Sequence, residues 1–367
     1  MHQKLSKEHS IMKSKYKVIG LMSGTSLDGV DVAYCVFSRL KSGWKYTLLH
    51  AATIKYPTTW LSRLAEAHSL GGQELMSLDA AYGSYLGKIA ENFVTRHKLK
   101  VDFIASHGHT VFHQPAKRFT TQIGNGYSVY AASGLPVVCD FRMQDVALGG
   151  EGAPLVPAGD KFLFNEYDVC LNLGGIANLS MDIKKKRYAF DICFCNMGLN
   201  LLAGEVSKKF DRNGEMASGG IVNTGMLKAL NKVYTKYKKK RPSLGREIFE
   251  GDFAALINNK TIPLEDRLCT FVESTAIEIC QAITSNKPTA RVLCTGGGTF
   301  NSFLISRMLE HGGDEITFII PDEEVVKFKE ALVFGFLGVL RVRNEYNCLK
   351  TVTNAVRDSS SGTMIGF

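Results

Sequence analysis

Runs of apolar and alternating residues divide the chain into predicted strands and helices, beginning with a hairpin near the N terminus. Residues 18–22 are a short apolar run, and residues 32–37 are rich in the β-branched and aromatic residues that favour strands. Small and hydroxylated residues lie between the two runs, followed by Asp28-Gly29, a dipeptide typical of tight turns. The pattern predicts a β-hairpin around which the N-terminal half is organised.

The second half of the chain repeats this plan. Residues 168–173 form an apolar run, Gly174-Gly175 follows, and residues 176–180 continue as a second strand. Further along, the strand-like residues 291–294 lead into a glycine loop and a helical pattern. Two hairpins with small-residue tips, one in each half, predict two similar α/β domains that face one another across a cleft.

The predicted boundary between the domains is the glycine- and proline-rich stretch at residues 149–157. We therefore expect a flexible basic N terminus over residues 1–17, one domain over 18–148 and a second over 149–367. An additional option is that the last residues pack back on the first domain.

Composition and charge narrow the class of protein. At 367 residues the chain exceeds one ordinary core, and its 45% hydrophobic and 22% charged content indicates a globular protein. The net charge of +9 comes partly from residues 236–241, but no known nucleic-acid-binding pattern accompanies it, so we expect a solvated basic face and no nucleic-acid partner. The polar first 17 residues, the lack of a long apolar segment and nine scattered cysteines predict a cytoplasmic protein with reduced thiols and no membrane partner.

Two glycine-containing loops are candidates for nucleotide binding. The tip of the first hairpin offers successive backbone N–H groups and hydroxyls, which suit a phosphate, although an ordinary polar hairpin tip is the alternative. The loop at Gly296, Gly297 and Gly298 lies between a strand and a helix, where bare backbone lets a nucleotide come close. Glycine turns also connect strands to helices without any ligand, so this second signal has an alternative as well.

Polar residues follow another predicted strand. Ser106, His107 and Gly108 come after the apolar residues 101–105, at the strand end where open α/β sheets bind ligands. The histidines at 107, 109 and 113 could form a metal site, but they lack a nearby carboxylate. We therefore favour hydrogen-bonding roles for them.

Three charged residues stand at positions that suggest chemistry. Arg142 can grip a carboxylate through two N–H groups, or it can pair with Asp145. Asp191 follows an apolar strand edge and is a candidate general base, or else it caps a helix that begins near Asn196. Glu330 lies in an apolar helical stretch and is either a substrate contact or an ion-paired helix residue.

A series of motifs carries a resemblance to a known family. The motifs are GLMSGTSLDGVD at 20–31, SHGxTxFHQP at 106–115, DFR at 140–142 with GGEGAPLVP at 149–157, NLGGIANL at 172–179, FD at 190–191 with an asparagine at 196, GREIF at 245–249 and CTGGGxxN at 294–301. In these motifs and their order, the chain resembles the anhydro-N-acetylmuramic acid kinase family, which belongs to the sugar kinase/Hsp70/actin ATPase class.

The resemblance implies a fold and a reaction. The fold would be two RNase H-like (actin-like ATPase) domains flanking a central cleft. ATP would phosphorylate O6 of 1,6-anhydro-N-acetylmuramic acid while water attacks the anomeric carbon and opens the 1,6-anhydro bridge, giving N-acetylmuramic acid 6-phosphate in cytoplasmic cell-wall recycling. Mg²⁺ would bridge phosphate oxygens with water completing its shell, and no protein ligand to a metal is assigned.

The resemblance also assigns roles by position. Asp191 would be the catalytic base that activates water, Arg142 would meet the lactyl carboxylate, and Glu330 would lie near the sugar. Ser106, His107 and Gly108 complete the implied substrate contacts. The implied nucleotide contacts are Gly24, Thr25, Ser26, Leu27, Asp28, Gly29, Val30, Asp31, Gly174, Gly175, Gly296, Gly297 and Gly298.

The chain departs from the family pattern at two places. Residues 192–195 read Ile-Cys-Phe-Cys where the family usually has Thr-Gly-Pro-Gly, and His109 stands where it usually has glutamine. These departures keep two alternatives open: a kinase for a related anhydrosugar, or a catalytically weakened homologue that acts as a nucleotide- or muropeptide-binding sensor. The expected partners are a small anhydrosugar and ATP, and a homodimer is an open option for the assembly.

Overall fold

The computed structural model describes residues 13–24, 27–238 and 243–367. It separates the chain into two compact units, the first formed by Met1–Leu155 together with Glu330–Phe367 and the second by Val156–Lys329. The first division lies beyond the predicted boundary at 148, and a second division returns the C-terminal part of the chain to the first unit. Residues 1–12 of the predicted flexible N terminus lie outside the described residues, whereas a strand already begins at Lys15.

The described residues form twelve strands and fourteen α-helices, besides short 3₁₀- and π-helical turns. The strands are β1 (Lys15–Ser23), β2 (Val30–Leu40), β3 (Gly43–Ile54), β4 (Phe103–Gln114), β5 (Phe119–Ile123), β6 (Val137–Cys139), β7 (Val169–Leu173), β8 (Ile176–Ile183), β9 (Lys186–Phe194), β10 (Ala290–Thr295), β11 (Ile316–Ile319) and β12 (Thr363–Ile365). The helices are α1 (Thr58–Ala65), α2 (Gly72–His97), α3 (Gly126–Ser133), α4 (Met143–Ala147), α5 (Val156–Leu163), α6 (Asn196–Gly204), α7 (Glu215–Ser218), α8 (Thr224–Lys238), α9 (Arg246–Ile248), α10 (Ala254–Ile257), α11 (Leu264–Thr284), α12 (Ser302–Gly312), α13 (Glu323–Val342) and α14 (Lys350–Thr353).

The sheet of the first unit has the order β12-β6-β4-β1-β2-β3, and β5 pairs with β4. Strands β1, β2 and β3 are successive antiparallel partners, while β1 pairs with β4, and β4 with β6, in parallel. The predicted first hairpin is confirmed, because Leu21 pairs with Val32 and Ser23 with Val30 across β1 and β2.

The sheet of the second unit has the order β11-β10-β7-β8-β9. Strands β7, β8 and β9 are successive antiparallel partners, while β7 pairs with β10, and β10 with β11, in parallel. The predicted second hairpin is therefore also confirmed. An antiparallel trio followed by two parallel strands is the RNase H-like order, and its presence in both units confirms the predicted α/β fold class.

Each sheet is covered by apolar helix faces. In the second unit, α11 contributes the fully buried Phe271, Val272 and Ile279 to a core that includes strands β7 to β10. In the first unit, Tyr82 and Leu86 of α2 pack on the apolar side chains of β1, β2 and β4. All nine cysteines are unpaired, and all but Cys139 are buried. Within the described parts of the chain, no helix combines the length and the apolar character needed to cross a membrane.

Helix α13 approaches strand β1 very closely. A Cβ atom added to Gly20 would lie 1.9 Å from the carbonyl oxygen of Ala331, and one added to Gly338 would lie 2.8 Å from the Cβ of Ala105. The side chains of Phe334 and Phe336 fill the space beside these contacts and are fully buried. This backbone contact explains why the chain from Glu330 onward belongs to the first unit, a long-range effect that no local pattern indicates.

We expect Gly20→Ala to destabilise the protein by about 3 kcal/mol or more, because backbone atoms on both sides must move. Gly72→Ala is the matched control, since a Cβ at Gly72 meets no atom within 4 Å, and it should change stability by less than about 1 kcal/mol. Urea unfolding followed by circular dichroism measures both effects. Equal midpoints for Gly20→Ala and the wild type would contradict the close contact.

Candidate active site

The connection between β1 and β2 is the predicted phosphate loop, and its backbone has an unusual conformation. Leu27 has a φ of 59°, and its N–H donates to the carbonyl of Gly24 at 3.4 Å. Gly29 has a φ of 155°, and a Cβ there would lie 2.5 Å from the carbonyl oxygen of Ile54. Glycine is therefore required at position 29 by both conformation and space.

The other predicted members of this loop differ in their surroundings. Thr25 and Ser26 lie outside the described residues, Asp28 is exposed and Val30 is buried at the start of β2. Asp31 accepts a hydrogen bond from Thr53 Oγ1 on β3 at 2.5 Å. Burial raises the pKa of Asp31, a shift that the Thr53 hydroxyl opposes and the charge of Asp28 reinforces.

Ser106, His107 and Gly108 lie at an irregular point of β4, directly beside the end of β1. Leu21 pairs with Ser106 and Ser23 with His109, so β4 has one extra residue over this interval. Gly108 has a φ of 74°, and a Cβ there would lie 2.5 Å from the carbonyl oxygen of Ile123. The oxygen Oγ of Ser106 is buried and has no hydrogen-bond partner among the described residues.

His107 orients Arg142. The Nε of Arg142 donates to His107 Nε2 at 2.9 Å, so the Nδ1–H of the same ring donates to the Gly108 carbonyl at 2.9 Å. Burial, reinforced by the charge of Arg142, places the pKa of His107 well below its usual value. The ring is therefore neutral and holds the guanidinium without adding charge.

Arg142 carries a buried positive charge, and its hydrogen bonds to His107 and Gly152 go to neutral groups. Besides His107, its Nη1 donates to the carbonyl of Gly152 at 2.7 Å, and the guanidinium lies 5.8 Å from the centre of the Phe334 ring. Burial lowers the pKa of Arg142 to about 10, and the negative charge of Glu330 acts in the opposite direction. The predicted substrate residues 106–108, Arg142 and Glu330 thus form one group in the first unit.

The alternative that Arg142 pairs with Asp145 is wrong. Asp145 accepts hydrogen bonds from the N–H of Gly152 and the hydroxyl of Thr353, each at 2.8 Å. Arg142 binds the carbonyl of the same glycine. The two side chains therefore fix the loop at Gly152 from both sides, and the carboxylate that acts on Arg142 is Glu330 and not Asp145.

The histidines make hydrogen bonds, as predicted. His109 Nδ1 lies 3.4 Å from Ser23 Oγ, and His113 Nδ1 lies 3.0 Å from Thr120 Oγ1. Across the residues that the structure describes, no three His, Cys, Asp or Glu side chains are arranged to hold a metal ion.

In the second unit, the predicted glycines come together around helix α6. The carbonyls of Gly174 and Gly175 accept hydrogen bonds from Asn196 N–H at 3.1 Å and Cys195 N–H at 2.9 Å. A Cβ added to Gly175 would meet no atom closer than 3.9 Å. The tip of this hairpin therefore has open space beside its backbone.

The glycine loop after β10 packs against the same hairpin. Gly296 has a φ of 87°, and a Cβ there would lie 2.6 Å from Asn172 Oδ1; a Cβ on Gly298 would lie 2.8 Å from that of Leu173. Gly297 lies beside Asn196, whose Nδ2 donates to the carbonyl of Leu173 at 3.1 Å. Both predicted glycine segments of the second unit thus share one end of its sheet.

Asp191 lies on β9, and one of its two carboxylate oxygens accepts hydrogen bonds from the described residues. Its Oδ2 accepts hydrogen bonds from Leu244 N–H at 2.9 Å and from Ser243 Oγ at 3.4 Å. Among the described residues, no donor reaches Oδ1. Burial raises the pKa of Asp191, and the two hydrogen bonds oppose that shift. The alternative that Asp191 caps α6 is wrong, because the first N–H groups of α6 bind the Gly174 and Gly175 carbonyls instead.

A cavity of about 250 Å³ lies beside Asp191. It is lined by Phe190, Ile192 and Leu244 and by side chains of α8 and α11 that include Lys238 and Glu278, and none of the predicted nucleotide or substrate contacts lines it. A water molecule occupies about 30 Å³ in the liquid, so the cavity has ample room for one next to the carboxylate. A partly buried carboxylate with a raised pKa, one free oxygen and adjacent space can accept a proton from water.

Sequence reasoning missed several residues that hold the site. Ser243 and Leu244 were not singled out, although they directly precede the GREIF motif at 245–249, which could have drawn attention to them. Asn196 appeared in a motif but received no role. The buried hydroxyls of Tyr56 and Tyr82, which contact Ser23, had no local signal.

Known proteins of one family match nearly the whole chain. A family model described as Anhydro-N-acetylmuramic acid kinase matches residues 16–366. The anhydro-N-acetylmuramic acid kinase of Francisella tularensis subsp. novicida (strain U112) is 31% identical over 370 residues, covering 93% of this chain and 97% of the relative. That of Pseudomonas syringae pv. syringae (strain B728a) is 32% identical over 346 residues, covering 87% and 91%.

Solved structures are more distant. A ligand-bound xylulose kinase from Lactobacillus acidophilus aligns with a TM-score of 0.45 at 8% identity, covering 88% of this chain and 89% of that chain. The family assignment therefore depends on the family model and the sequence relatives. Membership of a kinase family supports ATP as the phosphoryl donor and a sugar as the acceptor. The chain belongs to the anhydro-N-acetylmuramic acid kinase family.

Proposed function

We propose that this chain uses ATP and water to convert 1,6-anhydro-N-acetylmuramic acid into N-acetylmuramic acid 6-phosphate. The chain belongs to this kinase family, and the observation that carries the proposal is the hydrogen bonding of the Asp191 carboxylate and the space beside it. One carboxylate oxygen is fixed by Leu244 and Ser243, the other has no donor among the described residues, and Asp191 lines a cavity with room for water. This is the arrangement that a general base needs.

The proposed reaction breaks the bond between the anomeric carbon and the bridging oxygen, and it breaks the bond between ADP and the γ-phosphoryl group. It forms a bond from water to the anomeric carbon and a bond from the bridging oxygen to phosphorus. Asp191 takes a proton from water, and the water oxygen forms a bond to the anomeric carbon. The bond between that carbon and the bridging oxygen breaks, and this oxygen remains on C6, where it accepts the γ-phosphoryl group as ADP leaves. The proton on Asp191 then passes to solvent. A raised pKa makes Asp191 a stronger base than an ordinary aspartate.

Arg142 is the proposed partner of the lactyl carboxylate. Its guanidinium is already oriented by His107 and Gly152, and its charge is disfavoured by burial, so an anionic ligand would relieve that cost. Ser106 and Glu330 belong to the same group of predicted substrate contacts. The unpartnered hydroxyl of Ser106 is consistent with a polar ligand beside it.

The nucleotide contacts are assigned to residues 24–31 in the first unit and to Gly174, Gly175 and residues 296–298 in the second. The open space beside Gly175 supports this assignment, because a Cβ there would meet no atom closer than 3.9 Å and a nucleotide could approach the backbone. Mg²⁺ would bind together with ATP and would neutralise charge on the phosphates; in the described parts of the chain no three His, Cys, Asp or Glu side chains are grouped to hold it without the nucleotide.

The unusual residues 192–195 leave the proposed base in place. Cys193, Phe194 and Cys195 are fully buried, and the Phe194 N–H donates to the hydroxyl of Tyr234 at 3.1 Å. The phenyl ring also packs on Phe249 at 5.0 Å between ring centres. The substituted segment is therefore part of the core, and the structure gives no support to the alternative of a binding protein without catalysis.

We expect Asp191→Asn to lower kcat about 10²- to 10⁴-fold, because the amide cannot take the proton from water. The amide oxygen can still accept from Leu244 N–H, so the fold and the KM for ATP should be retained. Release of ADP in a coupled assay measures the rate, and Asp314→Asn, at an exposed carboxylate of the same unit, is the control. Full turnover by Asp191→Asn would contradict the role of the base.

The pH dependence should follow the raised pKa of Asp191. The base is active as the carboxylate, so kcat/KM should fall as the pH drops through a pKa above the ordinary value of 3.8. Ser243→Ala removes a hydrogen bond that lowers this pKa, so the acid limb should move to higher pH with an unchanged plateau. Ser302→Ala, which removes a bond to the carbonyl of Asn213, should leave the limb in place. An unmoved limb in Ser243→Ala would contradict the assignment.

For Arg142→Lys we expect the KM for the acidic sugar to rise about 10- to 100-fold, because lysine cannot form the paired hydrogen bonds of arginine. The comparison substrate is 1,6-anhydro-N-acetylglucosamine, which lacks the lactyl carboxylate. Its weaker turnover should be nearly the same in the wild type and the variant. An equal loss with both sugars would show that Arg142 acts only on the fold.

A further inference from the structure

Three buried hydroxyls form a closed ring below the predicted phosphate loop. Ser23 Oγ lies 2.7 Å from Tyr56 Oη, Tyr56 Oη lies 2.6 Å from Tyr82 Oη, and Tyr82 Oη donates back to Ser23 Oγ at 2.9 Å. Each hydroxyl has one hydrogen. Three hydrogens therefore supply the three bonds of the ring, and none is left to donate elsewhere.

The number of hydroxyl hydrogens in this ring indicates which nitrogen of His109 carries its hydrogen. Its Nδ1 lies 3.4 Å from Ser23 Oγ, which has no hydrogen left and can only accept. The hydrogen of the imidazole is therefore on Nδ1, and Nε2 carries a lone pair. Burial lowers the pKa of His109, which keeps the ring neutral.

His109 is buried, with 5% of its surface exposed, and its free nitrogen is not fully enclosed. No described residue donates to Nε2, and Nε2 is not one of the buried polar atoms without a partner. His109 pairs with Ser23, which directly precedes the phosphate loop, and it follows the predicted substrate contacts at 106–108. An acceptor at this position repels phosphate oxygens and attracts a hydroxyl or N–H donor.

We propose that His109 is a specificity-determining residue whose Nε2 accepts a hydrogen bond from the sugar substrate. The substrate of the proposed function has two neutral donors, the 4-hydroxyl and the acetamido N–H, because its other hydroxyl positions are bridged or substituted. The hydroxyl ring of Ser23, Tyr56 and Tyr82 is the positioning device that holds the accepting nitrogen in its lone-pair form. The identity of the ligand depends on the proposed function, whereas the tautomer does not.

The tautomer is tested by NMR of the full chain labelled with ¹⁵N-histidine. The wild type should show His109 protonated at Nδ1 and bare at Nε2. Tyr82→Phe keeps the packing but opens the ring, so it should give a mixture of tautomers, and Tyr85→Phe, at a tyrosine outside the ring, should not. A wild-type ring protonated at Nε2 would overturn the proposal.

Kinetics test the recognition itself. We expect His109→Phe to raise the sugar KM about 3- to 30-fold without changing the KM for ATP, the loss of one hydrogen bond to a ligand. His109→Gln keeps an acceptor and should stay within about 3-fold of the wild type. A 4-deoxy analogue should be insensitive to His109→Phe if the 4-hydroxyl is the donor, and fully sensitive if it is the N–H.

The two proposals fail in different ways. An unchanged sugar KM in a folded, active His109→Phe variant would overturn the role of His109 and leave the proposed function standing. Absence of turnover of the anhydrosugar by the wild type would overturn the proposed function and the sugar contact together. Should His109→Phe fail to fold, Tyr82→Phe supplies the test, with a smaller rise in sugar KM expected and no rise contradicting the proposal.

Discussion

The close contact between Gly20 and Ala331 is the constraint on which the substrate group of the first unit depends. A side chain at position 20 would overlap the helix backbone, so only glycine lets α13 lie directly on β1. That contact sets Phe334 against His107, at 4.6 Å between ring centres, and places the neighbouring Glu330 where its charge acts on Arg142. His107, Arg142 and Glu330, which are far apart in sequence, therefore form one group because position 20 has no side chain.

Burial acts on the two main charged groups in ways that suit the proposed reaction. It raises the pKa of Asp191 and so strengthens it as a base, and it lowers the pKa of Arg142, whose charge is held by the neutral His107 ring and a backbone carbonyl. Asp191 is thus prepared to take a proton, and Arg142, which only the charge of Glu330 supports against burial, is prepared to bind a second carboxylate from a ligand.

Local sequence signals predicted the local features of this structure. Both hairpins and the glycine turns could be found because strand periodicity and turn residues act over a few positions. That the last residues pack on the first domain was open as an option, but the start of this return at Glu330 could not be predicted, since it depends on a helix meeting a strand about 300 residues earlier in the chain. Asp191 is likewise held by Leu244, 53 positions away. Arg142 and Asp145 are close in sequence but do not pair, because Arg142 binds the carbonyl of Gly152 and Asp145 binds the N–H of Gly152 and the hydroxyl of Thr353.

The central claim is that water activated by Asp191 attacks the anomeric carbon while the bridging oxygen takes the phosphate. Turnover in H₂¹⁸O, followed by rapid reduction of the sugar and mass spectrometry, tests it most directly. The account predicts one ¹⁸O atom at C1 of the sugar phosphate and none in any phosphate group. Label at C6, or label in inorganic phosphate with the anhydro bridge intact, would contradict it.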